Sequence, residues 1–214
     1  MNIEENWLEF FQKINILERI PNLKEIYKEE VYPIESQIFR AFNTTPLSSV
    51  KVVLIAQDPY PNLYKGIPNA CGLCFATENG YTNPSLRVIF KELKNSGYQT
   101  NKGEDLISWA EQGVLMLNTS LTVEKGKPNS HSALWFNFTK HLITSLSRNN
   151  NQIVWLLMGK NAQELKKDII DGYIVESVHP MVDIYSGKNT FVGSNVFLEV
   201  NKILEKLNKE KINW

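Results

Sequence analysis

The chain has 214 residues, 43% of them hydrophobic, and its 23 basic side chains balance 23 acidic ones. That length supports one domain with a substantial core, and the neutral balance excludes a protein that holds nucleic acid through a global positive field. No run approaches the roughly eighteen apolar residues of a membrane helix, and the start, MNIEENWLEF, is acidic and amphipathic rather than a basic leader, so a cytoplasmic protein is expected.

In residues 1–50, Trp7, Phe10, Phe11 and Ile14 form a helical stripe, and IPNLKEIY and YPIESQIFRAF read as shorter helices restarted at Pro21 and Pro33. This segment is expected to be a helical lead-in packed on a single domain spanning 1–214. The run VVLIA at 52–56 follows, and then ACGLCFA with the only cysteines, Cys71 and Cys74. On a strand these would point to opposite faces, which disfavours a disulfide. Three histidines supply few further ligands for zinc, so both cysteines are read as packing residues.

Helical stripes at Leu86, Ile89, Phe90 and Leu93, at Trp135, Phe138, Leu142 and Leu146, and at Phe197, Val200, Leu204 and Leu207 alternate with apolar runs at 114–118, 153–158 and 173–178. Continuous apolar runs suit strands buried on both faces. The alternation predicts an α/β fold: a three-layer sandwich in which a short, mostly parallel four-stranded sheet is flanked by helices on both faces.

In open parallel sheets ligands bind beyond the carboxyl ends of the strands, and here those ends are polar: Gln57 and Asp58, Asn118 and Thr119, Gly159 with Lys160 and Asn161, and His179. Taken singly, Asp58 before Pro59 also reads as an Asx turn, and Asn118 and His179 as turn or surface residues. Together they bring an acid, an amide and an imidazole to one mouth. No G-x-S-x-G elbow, P-loop, H-E-x-x-H helix or G-x-G-x-x-G turn occurs, so no metal or other cofactor is expected. With Tyr60 and Phe75 as walls, the set suits hydrolysis of a bond to a flat polar ring.

AQDPYP, CGLCFA, NPSL, GVLMLNTSLTV, LLMGKNA, VHP and INW, in that order from Lys51 to Trp214, resemble the family 1 uracil-DNA glycosylases. The resemblance implies release of uracil from DNA, leaving an abasic site, the first step of base excision repair. It makes Asp58 the carboxylate that activates water or stabilises the sugar cation, and His179 the donor to uracil O2, assisted by the backbone beside Gln57. Asn118 would read N3–H and O4, Tyr60 would block the thymine methyl, and Phe75 would stack on the base. Pro84, Ser85, Gly159, Lys160, Pro180 and Met181 would hold the DNA backbone around an extruded base. The implied partners are uracil-containing DNA, single- or double-stranded, and a DNA-mimicking inhibitor protein; no membrane is implied, and the expected form is a monomer.

The chain departs from the family pattern in several places. Ala56 stands where glycine is usual, Pro61 where histidine is common, and Lys160 where serine is usual, and the loop from Pro61 to Cys71 is longer. After His179 the sequence reads HPMVDIYSG, one residue shorter than usual and without the leucine that enters the base stack. Met181, Val182 or Ile184 could take its place, whereas Asp183 would repel phosphate. The expectation is an active enzyme that favours single strands or opens duplexes less efficiently. Two rivals are a glycosylase fold kept as a DNA- or protein-binding accessory, and a glycosylase of altered base preference.

Overall fold

The computed structural model describes residues 3–99 and 103–214, so the first two residues of the amphipathic start lie outside it. The opening helix, Glu5–Lys13, is capped by the Glu4 side chain, which accepts from the Trp7 backbone N–H. It buries Trp7, Phe10 and Phe11 in the same apolar cluster as the central strands. Trp7 meets Phe42 edge-on at 5.0 Å, and its indole N–H donates to the Thr45 carbonyl at 2.8 Å. The lead-in therefore closes the core, each of its large side chains contributing on the order of 1.5–3 kcal/mol by burial.

Four strands, Val52–Ala56, Val114–Asn118, Val154–Met158 and Tyr173–Ser177, form one parallel sheet in the spatial order second, first, third, fourth. Ala56 pairs with Asn118, and Met158 with Ser177, so the strands end at one level. From the first strand the chain moves out to the second on one side and returns to the third on the other. Such a reversal leaves a crevice at the carboxyl end of the first strand.

The first three strands are buried throughout, and the second is covered by the helices Arg40–Thr44 and Ile107–Glu111. The fourth departs from the expected two-sided burial. Tyr173 is 43% exposed and Glu176 also faces water, while Val175 and Ser177 are buried. It is one of the two edge strands, and unlike the second, which the two helices cover, it leaves part of its length open to water. The helix Val196–Lys206 packs on the third and fourth strands. Trp214 seats its ring 5.0 Å from both Trp109 and Phe197.

The long loop after Tyr60 folds into a hairpin, Leu63–Tyr64 against Ile67–Pro68, turned by Lys65 and Gly66 at φ 50° and 79°. Two successive positive φ values fit the twist of a two-residue hairpin. Asn79 ties the hairpin down, donating to the carbonyls of Ile67 and Pro68 at 3.2 Å each. ACGLCFA is a series of turns rather than a strand, and both cysteines are free and buried. A second small pair, Val31–Tyr32 against Val123–Glu124, anchors the turn that reaches the sheet's polar edge.

Candidate active site

Beyond the strand ends lies a cavity of about 420 Å³ whose walls include Gln57, Asp58, Tyr60, Phe75, Asn118 and His179, with Pro84, Ser85 and Met181 also lining it. Gly159, Lys160 and Pro180 do not line it. Lys160 is exposed at the start of the short helix Lys160–Gln163, and Pro180 is buried beneath the start of the helix Met181–Ser186.

Asp58 follows the first strand directly, and its Oδ2 accepts the Asn129 backbone N–H at 2.7 Å. Asn129 also takes the Gln57 amide on its own Oδ1 at 2.7 Å, so one residue holds both neighbours of the strand end. Its φ of 65° is a left-handed conformation that asparagine adopts readily. Burial raises the Asp58 pKa above the ordinary carboxylate value, against the opposing hydrogen bonds from Asn129, Gln57 and its own backbone. A carboxylate so shielded is a stronger base than one in water.

His179 accepts the Met181 backbone N–H on Nδ1 at 3.2 Å, which places the ring proton on Nε2. Burial lowers its pKa, so the neutral ring is a fixed donor at neutral pH. Gly159 packs under it: at φ 93°, an added Cβ would lie 2.9 Å from His179 Cβ. Gly159→Ala is expected to displace the imidazole and lower kcat by about 10²-fold, the scale of a misplacement of about 1 Å. Single-turnover rates on a uracil oligonucleotide check this, and the thermal midpoint is expected to fall as well, because alanine is strained at a φ of 93°.

Asn118 closes the second strand at 6% exposure, and its Oδ1 is buried without a hydrogen-bond partner. Leaving such an acceptor unmet costs roughly 1–3 kcal/mol, and an N–H donor entering the cavity would satisfy it. Asn83 Nδ2, also on the cavity wall, is a buried donor without a partner. Tyr60 donates its hydroxyl to the Phe75 carbonyl at 3.0 Å, so the Ser85 hydroxyl, 2.7 Å away, donates to Tyr60. Burial raises the Tyr60 pKa, which keeps it a neutral donor. Phe75 sits at φ 64°, its ring centroid 5.7 Å from that of His179, and the Tyr60 bond pins its strained backbone.

Asp183 does not face phosphate in the way the sequence suggested. Its carboxylate accepts the backbone N–H groups of Thr190, Phe191 and Val192 at 2.7, 2.7 and 2.9 Å. Burial alone would raise its pKa, but these three bonds hold it below the usual range. They brace the helix Met181–Ser186, whose Ile184 and Tyr185 are 48% and 81% exposed, with Tyr185 at the cavity rim. Asn129, Asn83 and Tyr185 escape a reading of strand ends. The Pro128–Asn129 pair signals a turn, but not where that turn lands.

A three-layer α/β fold whose strand ends gather a shielded carboxylate, a neutral imidazole donor and an unmet amide around one cavity is an arrangement suited to a hydrolase acting on a bond to a polar ring. Residues 42–203 match the model of the uracil DNA glycosylase superfamily. The chain is 43% identical to a uracil-DNA glycosylase of Mycoplasmopsis pulmonis over 224 aligned positions, covering 100% of this chain and 99% of that protein. It is 42% identical to one from Bacillus pumilus, covering 90% and 85%. Among solved structures, mimivirus uracil-DNA glycosylase superposes with a TM-score of 0.87 at 26% identity, covering 98% of this chain and 86% of that one. A variant of that mimivirus protein, solved in complex with UGI, gives 0.89 at 25%, covering 99% and 88%. The chain belongs to the uracil DNA glycosylase superfamily, whose members hydrolyse N-glycosyl bonds.

Proposed function

We propose that the chain, as one domain, excises uracil from DNA with Asp58, His179 and Asn118 in the roles their geometry favours. The observation that carries this reading is the unpartnered Asn118 Oδ1 on the wall of a cavity that Phe75 also lines. Uracil N3–H would satisfy that oxygen, whereas cytosine presents an acceptor there, and a mismatched buried amide can discriminate by about 10⁴. As the bond to the sugar breaks, negative charge moves to uracil O2, where a neutral His179 donor stabilises it. Positive charge on the sugar is met by the Asp58 carboxylate, which also orients the attacking water. Protein in the absence of metal, incubated with a uracil oligonucleotide and then with alkali, is expected to cut the strand at uracil. No abasic product on either strand form would leave the binding-accessory reading in its place.

The exposed pair Ile184 and Tyr185 supports a wedge role, in place of the missing leucine, on a helix braced by Asp183. Val182 is half-buried and Met181 lines the cavity, so neither protrudes as far. Pro84 opens the helix Pro84–Asn95, whose first-turn N–H groups and the exposed Lys160 are suited to phosphates. With its proton given to Tyr60, Ser85 would serve a phosphate through its backbone N–H. The enzyme is proposed to act as a cytoplasmic monomer, to favour single strands, and to be open to a DNA-mimicking inhibitor at the same mouth. Tyr185→Ala is expected to slow excision from paired DNA at least about tenfold more than from single strands, since it loses over 1.4 kcal/mol of stacking. Equal losses on both substrates would remove Tyr185 from the wedge.

A further inference from the structure

The hairpin that fills the long loop carries a feature that the excision chemistry does not use. Tyr64 stacks on Tyr81 with ring centroids 4.7 Å apart and planes at 22°. Since the two rings cover each other's inner faces, the cations over them occupy the outer faces: Lys65 Nζ at 5.2 Å from the Tyr64 centroid, and the Arg87 guanidinium at 6.0 Å from that of Tyr81. The result is a ladder of cation, ring, ring, cation that joins the hairpin to the first turn of the helix Pro84–Asn95.

Both cations are exposed, and neither has a carboxylate within ion-pair distance among the described residues. The nearby acids are engaged elsewhere, Glu78 with Arg40 and Glu104 with the Thr82 hydroxyl. Hairpin packing alone would explain the two rings. It does not explain two unpaired cations held at the ends of the stack in a chain whose other charges largely cancel. The ladder also continues the rim of the cavity, because Pro61 and Asn62 lead into the hairpin and Pro84 and Ser85 precede Arg87.

We infer that Lys65, Tyr64, Tyr81 and Arg87 form a second contact surface for the DNA strand, binding two phosphates on one side of the extruded nucleotide. The rings hold the cations apart and restrict their rotamers, so less entropy is lost when phosphates arrive. The contact is made by a strand's backbone whatever its pairing, and so gives the enzyme a grip on single strands that needs no base-stack wedge. Charge complementarity of this local kind also accounts for DNA binding by a chain of zero formal net charge.

This rests on the uracil-excision reading. The test compares wild type with Lys65→Gln, Arg87→Gln and the double variant on a single-stranded uracil oligonucleotide of about twenty nucleotides and on a uracil trinucleotide. In each single variant kcat is expected to hold while kcat/KM on the long strand falls several-fold. The slope of log kcat/KM against log salt should become shallower by about 0.7 per lost phosphate contact. On the trinucleotide, too short to reach the ladder, nothing should change. Tyr64→Leu, which keeps both cations but breaks the stack, should give a smaller loss on the long strand only. Unchanged salt slopes in the double variant, or equal losses on both substrates, would overturn the inference and leave the ladder as hairpin packing. If wild type releases no uracil from either substrate, it is the excision reading that fails.

Discussion

Asp58→Asn is expected to lower uracil excision by about 10³-fold or more, combining lost water activation with lost stabilisation of the sugar cation. The same change should leave the thermal midpoint at neutral pH unaltered or slightly raised. The sign follows from burial, which holds the folded-state pKa of Asp58 above its unfolded value near 3.9. The native state then binds the proton more tightly, so stability falls as pH rises from the unfolded pKa through the folded one. At neutral pH the ionised carboxylate is held at a cost that a neutral amide avoids. Asparagine also retains an oxygen for the Asn129 N–H. In wild type, kcat/KM should fall on acidification with a midpoint above that of an exposed aspartate. A pH profile with its limb at the ordinary value, or an Asn variant of unchanged rate, would show that the base lies elsewhere.

Tyr60→Ala should begin to release thymine while slowing uracil excision by about 10²-fold. A pocket distinguishes one methyl by only about 1–3 kcal/mol through affinity, so strong exclusion of thymine needs a wall that the methyl cannot enter. Tyr60 would make a rigid wall, because its far end is fixed where the hydroxyl meets the Phe75 carbonyl and Ser85. Removing the ring opens the slot and also frees the left-handed Phe75 backbone, which misplaces the stacking face. Tyr60→Phe separates the two effects. It keeps the wall and should still reject thymine, but it uncovers the Phe75 carbonyl at a cost of roughly 1–3 kcal/mol in stability. Thymine release by the Phe variant, or none by the Ala variant, would place the methyl filter on another residue.

The parts of this architecture that were legible in the sequence are those fixed by the strands themselves. Four apolar runs ending in polar residues are enough to infer a parallel sheet, and a parallel sheet brings Asp58, Asn118 and His179 to one edge whatever the loops do. The partial exposure of the fourth strand was less visible, since YIVESV reads with the other apolar runs although it mixes apolar and polar residues. Asn129 could not be placed from its sequence position. It reaches Asp58 because the strand pair Val31–Tyr32 and Val123–Glu124 steers its turn, and because Gly126 donates to the Pro61 carbonyl at 2.8 Å. Both contacts join segments far apart in the chain. The hairpin likewise read as extra length, since Lys65-Gly66 is a weaker turn signal than Asn-Gly or Asp-Gly.

Cys71 and Cys74, free and buried in the core behind the cavity wall, bear on how the enzyme meets thiol oxidants. Burial pushes the Cys71 thiol up to about 11 and raises that of Cys74 well above its ordinary value. At neutral pH only roughly one Cys71 in ten thousand is then a thiolate, the form that peroxides and disulfides attack. Neither sulfur is among the groups given a catalytic role. Excision should therefore proceed without a reductant, and at the same rate, in surroundings that inactivate thiol-dependent enzymes.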